Sequence, residues 1–150
     1  MATLINTHGI IFRYKNEKGK LLNIKCVRMN PGVQKDLEAA CAELARWGYL
    51  SIDTLGIVCN RPQRRNSKTT SKHSTGLMPE YEKWQDGSNG SRAFDLIEIK
   101  HKDCRKSKSL LNPDDRDWLI AFWEKHHFKL YHTGRKYDPR WSPDHIHCEI

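Results

Sequence analysis

Two Asn-Pro pairs, Asn30-Pro31 and Asn112-Pro113, do most to constrain what this chain can fold into. In each, the Asn side chain can cap a helix, and the proline, which has no N–H to lose, suits the first helical position. After the first pair, Val33, Leu37, Ala40, Cys41, Leu44 and Trp47 recur at three- and four-residue spacing, so a helix is expected there, stopped by Gly48. After the second pair, Asp114 and Asp115 put acid on the positive helix end, and Trp118, Leu119, Phe122 and Trp123 form an apolar face. This helix is expected to end near His126 and His127, where positive charge suits the dipole. Both stripes read most simply as core.

The rest of the patterning is β-prone. Residues Gly9 to Val27 predict a hairpin: GIIFRY, a turn NEKGK around Gly19, then LLNIKCV. Short strands are expected at Leu55–Cys59, Ala93–Ile99 and Phe128–His132, followed by a turn around Gly134 and a loop KYDPRWSPD. Between the first two of these strands, Leu77 to Ser91 (LMPEYEKWQDGSNGS) reads as a surface insertion with a flexible end. A length of 150 residues suits one domain, numbered 1–150. Five Trp, five Tyr and four Phe supply a core despite 29% charged residues, which argues against disorder. No apolar run approaches the roughly 18 residues of a membrane span, and the first residues lack the pattern of a signal peptide. Five cysteines, with no CxxC pair, are expected to be mostly buried free thiols.

Lys and Arg number 26 against 18 Asp and Glu, so the net charge is +8 and the expected partner is anionic. The basic residues concentrate in a loop with no acid, Arg61 to Lys72, and in a second segment, Lys100 to Lys108. Either is ordinary solvated surface or an anion-binding lip.

The C-terminal HIHCEI alternates. On a strand, His145, His147 and Glu149 face one side, and Ile146, Cys148 and Ile150 face the other, toward a core. Two imidazoles on one strand face are a common element of metal sites. Asp144 stands three residues before His147, where a carboxylate can serve as a base. Asp95 interrupts the apolar run AFDLIEI, and a carboxylate there needs a partner: a cation such as Arg92, a helix N-terminus or a metal. His73 lies in the polar stretch SKHSTG.

The series SKHSTG…RAFDL…DHIHCEI resembles the metal-site pattern of the zinc D-Ala-D-Ala carboxypeptidase/dipeptidase superfamily, peptidase family M15. The likeness runs from about Asn30 to Ile150 and is strongest to the extensin-like C-terminal and phage endopeptidase branch, where a stretch like GIVCNRP precedes the metal-binding His. The resemblance implies an α+β fold: a small antiparallel sheet flanked by helices, with one zinc ion at the sheet cleft. It implies His73, Asp95 and His147 as zinc ligands, with a fourth position left for water. It makes Asp144 the catalytic acid–base, places His145 beside the metal, gives Arg61 the substrate carbonyl or carboxylate, and assigns Ser71 to ordering the loop. The chain departs from the pattern in placing 21 residues between His73 and Asp95, because the insertion falls there. Tyr81 and Trp84 of that insertion would then contact substrate.

The implied activity is hydrolysis of a peptide bond in peptidoglycan stem peptides, as a carboxypeptidase or an endolysin-like endopeptidase. The basic surface would hold the enzyme to an anionic wall polymer. Without a signal peptide, a chain of this kind is expected to be made in the cytoplasm and to act at the wall as a phage lysin or virion component. Two other readings stand beside it: a basic nucleic-acid-binding module, and a non-catalytic wall-binding or virion domain of the same fold.

Overall fold

The computed structural model describes residues 3–55, 91–135, 138–141 and 145–150, with side-chain surroundings for 3–55, 91–133 and 145–150. The architecture is α+β. Its strands are β1 (Thr3–Leu4), β2 (Ile11–Lys15), β3 (Leu21–Asn23), β4 (Arg28–Met29), β5 (Tyr49–Leu55), β6 (Ala93–His101), β7 (Lys108–Ser109), β8 (Lys129–Tyr131), β9 (Thr133–Arg135), β10 (Asp138–Trp141) and β11 (Ile146–Glu149). Its helices are α1 (Pro31–Arg46) and α2 (Pro113–Lys125).

Both helices begin as the Asn-Pro pairs require. The Asn30 side chain accepts from Gly32 N–H at 2.9 Å, and that of Asn112 from Asp114 N–H at 3.0 Å. Val33, Leu37, Ala40, Cys41 and Leu44 of α1 are buried, as are Leu119, Ile120, Phe122 and Trp123 of α2. Trp47 departs from the expected stripe: it caps the helix rather than continuing it, and 43% of it is exposed. Gly48, at φ +89°, turns the chain straight into β5. That strand therefore starts at Tyr49, earlier than the expected Leu55–Cys59; residues 56–59 lie outside the described residues.

The main sheet has seven strands among the described residues, in the order β3-β2-β5-β6-β11-β8, with β7 on β6. It is larger than expected, and it is mixed rather than antiparallel. Strand β2 runs parallel to β5, with Phe12 opposite Ile52, because α1 lies between them and carries the chain back in the same direction. All the other pairings in this sheet are antiparallel. The hairpin β2–β3 forms around Asn16, whose side chain accepts from Lys18 and Lys20 N–H, with Gly19 at φ +80°. The run after Leu21 is a strand for only three residues; Arg28–Met29 pairs instead with β1. Gly134 is not a turn but part of β9, which pairs antiparallel with β10, so Asp138–Trp141 of the expected loop is a strand. At the other end, Ser91 is buried rather than the tail of a surface insertion. Its hydroxyl bonds both backbone groups of Ala93, and its carbonyl accepts from Asn30 N–H.

One core cluster joins residues from Ile5 to Cys148. At its centre Phe94, Trp123 and Phe128 meet edge to face, with centroids 5.0–5.6 Å apart. The helices also meet each other, where Glu43 of α1 binds Lys125 and His126, and Asp36 binds His127. Among the described residues, no helix is long and apolar enough to cross a membrane.

Candidate functional site

Strand β11 carries the site because it lies between β6 and β8. Its alternation is the expected one: Ile146 and Cys148 are fully buried, and His145, His147 and Glu149 occupy the opposite face, each partly exposed. Antiparallel register sets His147 across from Asp95 on β6 and across from Tyr131 on β8. Two residues 52 positions apart are thereby placed side by side: His147 Nδ1 lies 3.2 Å from Asp95 Oδ1. His145 Nε2 approaches the same Asp95 oxygen at 3.8 Å. On its other edge, His147 Nε2 meets Glu149 Oε2 at 2.8 Å.

The cluster is rich in carboxylate. One imidazole stands between two acids, and all three side chains are largely shielded, at 17–22% exposed. Burial opposes charge on the His147 ring, but hydrogen bonds to Asp95 and Glu149 and their negative charges outweigh it, so its pKa is raised. His145 Nδ1 is buried with no hydrogen-bond partner among the described residues. Its ring packs edge-on against His132, at 5.6 Å between centroids. His132 sits in the left-handed region at φ +64°. Buried Arg116 of α2 secures that bend by donating to the carbonyls of Leu110, His132 and Thr133. The nearby Cys148 thiol is pushed well up by burial and by the Asp95 charge, and burial with the Glu38 charge pushes Cys41 up to about 12. Neither is a ready nucleophile or ligand. Cys26 and Cys104 are exposed, so the buried-thiol expectation holds for only two of the four described cysteines.

Do these groups fit a metal? Two donors that share a tetrahedral zinc at about 2.0–2.1 Å stand about 3.3 Å apart. The Nδ1–Oδ1 separation of 3.2 Å matches that edge. The donor chemistry also fits, since imidazole nitrogen and carboxylate oxygen are both zinc ligands. Among the described residues, no group of three or more His, Cys, Asp or Glu side chains is placed to hold a metal ion. Of the residues expected at the site, the structure brings Asp95, His145 and His147 together. The expected third ligand, His73, lies outside the described residues, as do Arg61, Ser71, Tyr81, Trp84 and Asp144.

The alternation of HIHCEI places Glu149 on the right face without giving it a role. Its spacing of two from His147 was the available signal. Nothing local pointed to Tyr131 or His132. The basic segment Lys100 to Lys108 is less open to an anion than its composition implies: Lys100 pairs with Glu98, Arg105 with Asp103 and Lys108 with Asp115.

Compared with known family models, curated proteins and solved structures, the chain has no significant match.

Proposed function

We propose that this chain is a zinc-dependent peptidase that hydrolyses a peptide bond in bacterial peptidoglycan stem peptides. The observation that carries the reading is the pairing of Asp95 with His147 at the edge length of a shared zinc ligand set. A half-buried carboxylate and an imidazole drawn together from distant strands, with a second acid behind, form a locus that favours a cation. His73 is proposed as the remaining protein ligand. Zinc, when bound, supplies a Lewis acid that polarises a carbonyl and acidifies water.

The chain's own residues do the rest. Asp95 and His147 hold the ion at the sheet face, with their backbones fixed by the ladder between β6 and β11. His145 lies beside them against the Asp95 carboxylate, placed to stabilise charge on a substrate oxygen. Asp144, the residue before His145, takes the proton of the attacking water and returns it to the leaving amine. Arg61 holds the substrate carbonyl or carboxylate, Ser71 orders the loop that bears His73, and Tyr81 and Trp84 contact the peptide. The +8 charge favours an anionic wall polymer, and the enzyme acts at the wall as a phage lysin or virion component.

Metal analysis of wild type beside His73→Ala, Asp95→Ala and His147→Ala tests the site, and hydrolysis of a stem peptide tests the activity. The expected result is one zinc per chain, lost in all three variants, with turnover lost on His147→Ala. A wild-type protein with neither stoichiometric zinc nor peptide hydrolysis would sink the proposal. Zinc without turnover would leave a non-catalytic wall-binding domain, and salt-dependent nucleic-acid binding that survives His147→Ala would favour a binding module.

A further inference from the structure

We propose that Glu149 is the positioning residue that selects which nitrogen of His147 faces the metal, an inference that rests on the zinc reading above. Glu149 follows His147 by two residues on β11, so both side chains stand on the same face of the strand. Its backbone is fixed on both sides, paired with Ala93 on β6 and Lys129 on β8. Its carboxylate is 17% exposed and ends 2.8 Å from His147 Nε2.

In the zinc-bound state Nδ1, the nitrogen on the Asp95 side, is the ligand, so the ring's one N–H sits on Nε2, where the Glu149 carboxylate at 2.8 Å accepts it. A neutral imidazole has one N–H. Placing it on Nε2 leaves the Nδ1 lone pair directed at Asp95 Oδ1, 3.2 Å away. Two acceptors at that distance repel unless a cation lies between them or the ring takes a second proton. Glu149 therefore sets the ring in the one tautomer whose lone pair points where Asp95 also points. A carboxylate behind a histidine does this at many metal sites and makes the imidazole a better donor. Tyr131 packs on the same ring at 5.8 Å between centroids, so His147 is held from the side as well as from behind.

The test uses the full chain and zinc itself. Zinc affinity is measured by chelator competition for wild type, Glu149→Gln and Glu149→Ala. Nitrogen-15 spectra of the zinc-loaded proteins then report which His147 nitrogen carries the proton. Glu149→Ala is expected to weaken zinc about 10–100-fold. Glu149→Gln, of the same shape and still able to accept from Nε2–H, should recover part of that loss. Wild type should show a protonated Nε2 and a metal-bound Nδ1, and Glu149→Ala a mixture of tautomers. Wild-type affinity in Glu149→Ala, or a metal-bound Nε2 in wild type, overturns the role of Glu149 while the zinc reading stands. No zinc binding by wild type overturns both.

Discussion

Two neighbouring strands of the main sheet each carry an aspartate, one buried and one half-buried, and the two are partnered in opposite ways. Asp53 on β5 is 1% exposed and faces Arg13 on β2, which binds it with two parallel hydrogen bonds of 2.7 and 2.8 Å. Ser51 adds a third donor at 3.3 Å. Cation and carboxylate are matched one to one, by a guanidinium that is always charged, and the arrangement is closed. Asp95 on β6 faces an imidazole that already has a second carboxylate, Glu149, behind it. Its described neighbours there, His147 and His145, are imidazoles, which carry charge only when protonated and can instead bind a metal. Each acid is thus read by the chemistry of the base it faces, a permanent cation in one case and a titratable metal ligand in the other.

Removing the closed pair's cation has the largest expected effect. Arg13→Ala strands the Asp53 carboxylate and should cost about 3 kcal/mol in urea unfolding, with zinc binding unchanged in the folded protein. Asp95→Asn should do the reverse. In zinc-free protein it keeps the side chain's shape and strands no permanent cation of the kind Arg13 is, so it should alter stability by less than about 1 kcal/mol, while zinc affinity collapses. If the two substitutions cost the same in the absence of metal, the contrast between the sites is wrong.

Glu43 sharpens the contrast from the side of excess cation. Burial tends to raise its pKa, but hydrogen bonds from Lys125 and His126, and their charges, more than offset this and hold it below the usual carboxylate range. The depressed value means that this tie between α1 and α2 is at full strength above the ordinary carboxylate pKa. It is lost as pH falls through the lower folded value. Acid titration of stability should show that loss in wild type, and Glu43→Gln should flatten the curve over the same interval.

The features legible in the sequence were the local ones. Asn30-Pro31 and Asn112-Pro113 start their helices where expected, because capping and the φ of proline act within a few residues. The period of two in HIHCEI correctly separated Ile146 and Cys148 from His145 and His147. Elements lie elsewhere than propensity places them where a second backbone segment pairs with them. Thr133–Arg135 became a strand because Asp138–Trp141 was available to pair with it, overriding the turn tendency of Gly134. Ser91 reads as the polar tail of an insertion but is buried at the entry to β6, where its carbonyl accepts from Asn30 N–H.

By itself the sequence determined two capped helices, a basic surface, and a C-terminal strand with imidazoles and an acid on one face. These follow from propensity and periodicity, which are properties of adjacent residues. Only the tertiary structure decided that β11 lies between β6 and β8, and with it that Asp95, Tyr131 and Glu149 surround a single ring. That outcome is a matter of strand order and register. A slip of one residue would have turned His147 to the core and left Asp95 without its imidazole.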